Sequence, residues 1–431
     1  MPDPFWTDDT VTIWQADARQ LPLDDESVDL VVTSPPYFGL RSYTDGGEHY
    51  AGQIGDEATP AEFLDALLDV TRECVRVLKP TGSLWVNLGD KYAERAGPVR
   101  PGGVDDDPIV RRPATRPARG RRDVPVKSLM MLPARYAIAA VDELRLILRA
   151  EVIWSKPNGL PESVTDRVRR SHEQWFHLVK RPRYFSAVDA IREDYAASTA
   201  ASYANGRGAA RIGGSVERHP SYVGREHTSA MPDDYAGNPL GKLPGSVWTI
   251  ATQPLKVPAE LGVDHFAAFP LEWPRRIIAG WSPSGICLEC GEGRRPVAVS
   301  TTVSGEAQRP AIAAGRKLGG HHGQAGSTLG PRGVLAHIVG EACACDAPTA
   351  PTRPAVVLDP FGGTGTTGLA ARALGRRAHL VDLSADYCRL AAWRVTDPGE
   401  LARAMRVEKP PPPPEGVPSL LDLLNDEGVT A

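Results

Sequence analysis

The chain has 431 residues, 42% of them hydrophobic and 24% charged, with a formal net charge of −4. This composition belongs to a globular protein with a sizeable core and excludes collagen-like and low-complexity chains. Six cysteines in a chain of this size do not make a disulfide scaffold. There is no run of about 18 apolar residues, so no membrane-spanning helix is expected. The N-terminus lacks a basic-then-apolar leader pattern, and a cytoplasmic protein is expected. Glycine (42) and proline (40) are abundant and predict several long loops.

In chain order, Val11 to Trp14 predicts a strand leading to Asp17, and Val28-Asp29-Leu30-Val31-Val32 predicts a buried one. Thr33-Ser34-Pro35-Pro36-Tyr37 follows. Two prolines cannot continue a ladder, so the chain leaves the sheet in a rigid turn at a strand's C-terminal end, where open α/β sheets bind ligands. The turn offers a hydroxyl, carbonyl acceptors and an aromatic face, which suit a flat heterocycle carrying an amino group. Apolar residues at helical spacing predict a helix from Pro60 to Leu78, stopped by Lys79-Pro80-Thr81-Gly82, and then a strand over Ser83 to Leu88. A helix is predicted over Met130 to Leu148, a strand over Ala150 to Trp154 and a helix over Leu271 to Ala279.

Arginines and lysines gather twice, at Arg111, Arg112, Arg116, Arg119, Arg121 and Arg122 and at Arg167, Arg169, Arg170, Lys180, Arg181 and Arg183. Either group suits phosphate contact or a solvated face. Cys287-Leu288-Glu289-Cys290-Gly291 and Cys343-Ala344-Cys345 form two close cysteine pairs, whose four thiolates suit a structural zinc that staples an insertion poor in core residues. His321 and His322 are spare ligands, while Cys74 and Cys388 read as core residues.

Near the end, a strand over Ala355 to Leu358 runs into Asp359-Pro360-Phe361-Gly362-Gly363-Thr364-Gly365-Thr366-Thr367, which opens a helix from Thr366 to Leu374. No lysine precedes Ser/Thr after the last glycine, so this is not a P-loop. A strand over Ala378 to Val381 leads to Asp382, placed to accept hydrogen bonds from ribose hydroxyls, and a helix follows from Ala385 to Val395. Strand, glycine loop, helix, strand and acid together predict a nucleoside-cofactor site.

Ser34-Pro35-Pro36-Tyr37 early in the chain and Asp359 through Thr367 late in it resemble the β-class S-adenosylmethionine-dependent DNA amino-methyltransferases. The resemblance implies a doubly wound, Rossmann-like α/β sheet, circularly permuted, in which Val11 to Trp14 completes the cofactor half and Asp17 faces the adenine. His265 through Pro270 is similar to the family's cofactor-covering segment, and residues 151–158 and 167–173 match its middle motifs loosely. The implied cofactor residues are Asp17, Thr33, Phe269, Pro270, Asp359, Phe361, Gly363, Gly365, Thr366 and Asp382. The implied catalytic set is Ser34, Pro35, Pro36 and Tyr37, with Ser34 and the Pro35 carbonyl accepting the amino N–H bonds and Tyr37 stacking on the base.

A base inside double-stranded DNA cannot reach such a turn, so base flipping is implied. The family's association of SPPY with cytosine favours cytosine N4, with adenine N6 as the alternative. A non-catalytic DNA-binding relic and an RNA or protein amino-methyltransferase are further alternatives. A restriction endonuclease is a compatible partner.

The expected organisation is the first methyltransferase segment (1–92), a basic loop (93–126), the methyltransferase domain continued (127–189), a variable insertion suited to target recognition (190–247), a cofactor-covering segment (248–284), a zinc-binding insertion (285–350), the cofactor-binding segment (351–397) and a Pro-rich flexible tail (398–431).

Overall fold

The computed structural model describes residues 2–39, 44–45, 48–49, 52–93, 124–159, 161–196, 238–258, 261, 268–302, 334–343, 345, 349–409 and 411. The chain divides into two compact units, one formed by residues 1–185, 246–284 and 354–431 and the other by residues 186–245 and 285–353.

The first unit begins with β1 (Trp6–Thr7), β2 (Val11–Gln15), β3 (Val28–Thr33) and the short pair β4 (Thr44–Asp45) and β5 (Glu48–His49). Next come α1 (Pro60–Val77), β6 (Leu78–Leu88), α2 (Leu132–Asp142), β7 (Ile147–Ser155), β8 (His172–Val179), β9 (Val247–Thr249) and α3 (Glu272–Trp281). In the second unit lie β10 (Ile286–Cys287), β11 (Arg295–Thr302), β12 (Val334–Ala342) and β13 (Thr352–Arg353). The first unit closes with β14 (Val356–Asp359), α4 (Thr366–Ala373), β15 (Arg377–Asp382), α5 (Ala385–Thr396) and α6 (Pro398–Met405).

Among the described residues, nine strands form one mixed sheet in the order β1-β2-β15-β14-β3-β6-β8-β7-β9. The five strands from β2 to β6 run parallel. The chain's early strand β2 pairs with the late strand β15, Val11 opposite Ala378 through Gln15 opposite Asp382. From β14 the chain crosses through α4 to β15 on one side, and from β3 it crosses through α1 to β6 on the other. The β14/β3 junction is therefore the switch point of the sheet, where a crevice opens at the strands' carboxyl ends.

Strand alternation explains the two covered faces. On β6, Leu84, Val86 and Leu88 join Phe63, Leu67 and Leu68 of α1 and Tyr136 and Ala137 of α2 in one core. Trp85 points the other way, with its ring 4.6 Å from Trp281 of α3 and stacked on His177 at 4.5 Å. Helix α1 starts in a capping box, with Glu62 N–H donating to Thr59 Oγ1 and Thr59 N–H to Glu62 Oε2, and Pro60 fills its first turn.

Several boundaries differ from the sequence expectation. Lys79-Pro80-Thr81-Gly82 does end α1, yet β6 starts at Leu78: Val28 pairs with Leu78 and Leu30 with Ser83, so the four residues bulge out opposite Asp29. Lys79 Nζ holds Asp29 Oδ1 at 2.6 Å, and Gly82 is demanded because a Cβ there would lie 2.8 Å from the Asp29 carbonyl oxygen. The helix expected over Met130 to Leu148 ends at Asp142, and Arg145, at φ 56°, turns the chain into β7. The expected tail begins with α6, capped by Asp397, whose Oδ1 accepts from Glu400 N–H at 2.8 Å.

The second unit holds the antiparallel ladder β11/β12, the short pair β10/β13 and a 3-10 turn over Val188–Ile191. The arginines at 111–122, His265, His321, His322 and most of the Pro-rich tail lie outside the described residues.

Candidate active site

Strand β3 is buried along its whole length and delivers Thr33 to the switch point. Thr33 Oγ1 donates to Asp359 Oδ1 at 2.7 Å, joining the end of β3 to the end of β14. Asp359 also accepts from Thr367 Oγ1 at 2.6 Å and from Phe361 N–H at 3.1 Å. Burial pushes its carboxyl up to about 7 against those three donors. One carboxyl group thus ties the Ser34 turn to the glycine loop.

Beyond Thr33 the two prolines turn the chain out of the sheet. Ser34 Oγ donates to Asn87 Oδ1 at 3.2 Å. The Tyr37 hydroxyl lies 2.9 Å from the same Oδ1 and 2.8 Å from Glu173 Oε2. Glu173 in turn pairs with Lys156, whose ammonium sits 4.1 Å from the Trp154 ring centre. The Tyr37 ring lies against Gly89, where a Cβ would come within 2.5 Å of Tyr37 Cε2. The aromatic ring is thereby held at its hydroxyl and along one edge.

The glycine loop is shaped by two left-handed glycines, Gly363 (φ 47°) and Gly365 (φ 73°). A Cβ at Gly365 would crowd Ala391 at 3.1 Å, whereas one at Gly363 would meet little, so Gly363 leaves room beside the loop. Asp382 Oδ2 accepts Gly363 N–H at 2.9 Å and its Oδ1 accepts Ser384 N–H at 3.0 Å. Behind the loop, buried Arg394 donates to the Thr364 carbonyl, Thr364 Oγ1 and Thr366 Oγ1 at 3.2, 2.8 and 2.7 Å. Its Nε pairs with buried Glu400 at 3.1 Å. Burial, with Arg403 nearby, lowers Arg394 to about 10.

Ser34, Tyr37, Thr33, Asp359, Phe361, Gly363, Gly365, Thr366 and Asp382 thus gather around the ends of β3, β14 and β15. Asp17 follows β2, and its carboxylate is engaged by Arg19 Nη2 at 2.7 Å. Burial works against its charge, but the Arg19 hydrogen bonds prevail and its acidity is increased. Phe269 stands edge-on to Trp175, 5.8 Å between centres, and Pro270 adjoins α3.

The second basic group is not one surface. Lys180 Nζ donates to the Val75 and Leu78 carbonyls at 3.0 and 2.6 Å and so caps the end of α1. Arg167 stacks on Tyr92 at 3.8 Å and pairs with Glu162 at 2.6 Å. Arg169, Arg181 and Arg183 are exposed.

In the second unit, the sulfurs of Cys287, Cys290, Cys343 and Cys345 all lie within 4.8 Å of one another. The Cys287–Cys345 distance is 3.8 Å, which is about the sulfur separation of a tetrahedral site with ~2.3 Å metal–sulfur bonds. Backbone N–H of Cys290 leads the interactions that lower the Cys287 thiol to about 6.

Asn87, Arg394 and Glu400 belong to none of the motifs that mark the site in the sequence. Lys156 and Glu173 did fall inside the loosely matched middle segments.

Comparison with known proteins is consistent with this geometry. The DNA methylase (N6/N4) family profile matches residues 28–287 and 349–392, more than half of the chain. The type II methyltransferase M.Cfr9I of Citrobacter freundii is 40% identical over 187 residues, 42% of this chain and 59% of that protein. M.XycI of Xanthomonas campestris pv. cyanopsidis is 42% identical over 190 residues, 42% of this chain and 58% of its own length. The match thus spans less than two thirds of either relative. The solved structure of the PvuII DNA methyltransferase (cytosine-N4-specific) aligns with a TM-score of 0.50 over 94% of this chain and 96% of that one. At 16% identity this likeness establishes the fold, a Rossmann-like methyltransferase sheet.

Proposed function

Because the chain belongs to the N6/N4 DNA methylase family, we propose that it transfers a methyl group from S-adenosylmethionine to an exocyclic amino group of a flipped DNA base. The observation that carries this reading is the Thr33–Asp359 hydrogen bond, which holds the Ser34 turn and the glycine loop against each other at the switch point.

The residues present fit the cofactor. The open Cα face of Gly363 admits a close ligand, Asp382 stands at the end of β15 to meet a ribose, and Phe269 and Pro270 are the covering pair. Asp359 and Thr366 act indirectly, by fixing the loop, and Asp17 is the adenine-side acid. S-adenosylmethionine supplies the methyl group on a sulfonium.

The chain's own residues prepare the acceptor. An exocyclic amino nitrogen is a weak nucleophile because its lone pair is conjugated with the ring. Ser34 Oγ and the Pro35 carbonyl accept its two N–H bonds and draw that lone pair out of the ring plane. Pro36 keeps the turn rigid, and Tyr37 stacks on the base. Orientation of the two reactants supplies most of the acceleration, and the proton leaves to solvent. Ser34 favours cytosine N4 through the SPPY resemblance, with adenine N6 as the second reading. Double-stranded DNA is the substrate, and restriction–modification is the setting that the type II relatives indicate.

Zinc bound by Cys287, Cys290, Cys343 and Cys345 is part of the same proposal, as a staple of the second unit. A direct test of the site is Ser34→Ala. It should lower methyl transfer to DNA at least ~100-fold while cofactor affinity stays within about threefold. Undiminished transfer by the variant would remove Ser34 from the chemistry.

A further inference from the structure

The hydrogen-bond pattern behind the Ser34 turn assigns a role to a residue that the reading above does not use. Asn87 lies on β6, fully buried, between the Ser34 turn and β8. Its Nδ2 donates to the Gln174 carbonyl oxygen at 3.0 Å. A carbonyl cannot donate, so this contact fixes which way the amide faces. Oδ1 must therefore point at Ser34 and Tyr37, and it can only accept.

That restriction matters because a serine hydroxyl has one proton and can otherwise rotate to donate or accept. Ser34 Oγ gives its proton to Asn87 Oδ1. With the proton drawn inward, the oxygen's lone pairs face the crevice and can only accept. An amino N–H arriving at Ser34 then meets an acceptor, and a ring nitrogen or carbonyl presented there meets no donor.

We propose that Asn87 is a positioning residue that sets the polarity of Ser34, making the turn selective for an amino group over an acceptor atom of the base. This rests on the methyl-transfer reading of the site. Tyr37 is held by the same oxygen, so one buried amide coordinates the orientation of both groups facing the base.

The test is a double-mutant cycle on the full chain with Asn87→Ala, Ser34→Ala and the pair, reading kcat at saturating DNA and cofactor, cofactor Kd and Tm. Asn87→Ala should lower kcat about tenfold or more, with cofactor Kd within about threefold. In the Ser34→Ala background it should cost several-fold less than in the wild type, because the proton it controls is gone and only its hold on Tyr37 remains. Asn87→Asp supplies the second variant. Its carboxylate still accepts from Ser34, so kcat should stay within about threefold of wild type and well above that of Asn87→Ala, while the lost contact to the Gln174 carbonyl is read in Tm. Losses that multiply fully in the double variant, or a folded Asn87→Asp variant as slow as Asn87→Ala, would overturn the assignment while leaving the methyl-transfer reading intact. A wild-type protein that methylates no DNA would overturn both.

Discussion

Asp359 offers a stability test of the junction between the two halves of the site. Its carboxyl is buried among Thr33, Thr367 and the Phe361 amide, and burial raises it from 3.8 to about 7. Between those values the native state holds a proton that the unfolded chain has released. Stability from this group therefore falls as the pH rises through the window and levels off above the folded value. From about pH 5.5 to about pH 7.5 the loss works out at about 2 kcal/mol.

Asp359→Asn keeps the shape and removes the titration. Thr33 and Phe361 can still donate to the amide oxygen, and the Thr367 hydroxyl can turn to accept from the amide nitrogen. Urea unfolding of both proteins at the two pH values, followed by tryptophan fluorescence, gives the difference directly. The stability of the variant relative to wild type should improve by about 2 kcal/mol as the pH is raised across this window. A relative stability that stays constant within about 0.5 kcal/mol would refute the account of Asp359 as a buried acid that gives up its proton near neutrality.

Three further outcomes follow from the same geometry. Glu400→Gln strands the buried Arg394 charge and should cost about 3 kcal/mol in urea unfolding, with weaker cofactor binding; an unchanged unfolding midpoint would show that the pair does not brace the glycine loop. Gly365→Ala forces a side chain into a left-handed position against Ala391 and should cost about 2 kcal/mol or more, and isothermal titration should show cofactor affinity falling with it; full affinity would contradict the loop geometry. Purified protein should carry roughly equimolar zinc by elemental analysis, and Cys290→Ser should reduce it; metal-free protein with an equally stable second unit would remove the zinc proposal.

The two ends of the site were legible because their signals are local. Two prolines after an apolar strand, and glycines between a strand and a helix, declare their backbone needs within a few residues. That Val11 to Trp14 completes the cofactor half of the sheet came from the family resemblance, and the strand does pair with β15. What the sequence could not display were partnerships made by the sheet itself. Asn87 reads as one polar residue in an apolar strand until β8 brings the Gln174 carbonyl to its amide. Arg394 falls in an expected helix and Glu400 in the expected flexible tail, yet the fold buries both as a pair behind the glycine loop. Nor does any Gly or Pro mark the end of α2, because Arg145 takes the left-handed turn itself. Lys180, read among phosphate-seeking cations, is drawn instead to the carbonyls at the end of α1.

The most direct test of the central claim is methylation of unmethylated genomic DNA with labelled S-adenosylmethionine, followed by digestion to nucleosides and identification by mass. The expected product is N4-methylcytosine. N6-methyladenine would overturn the base assignment, and cofactor binding without any methylated nucleoside would contradict the proposed function.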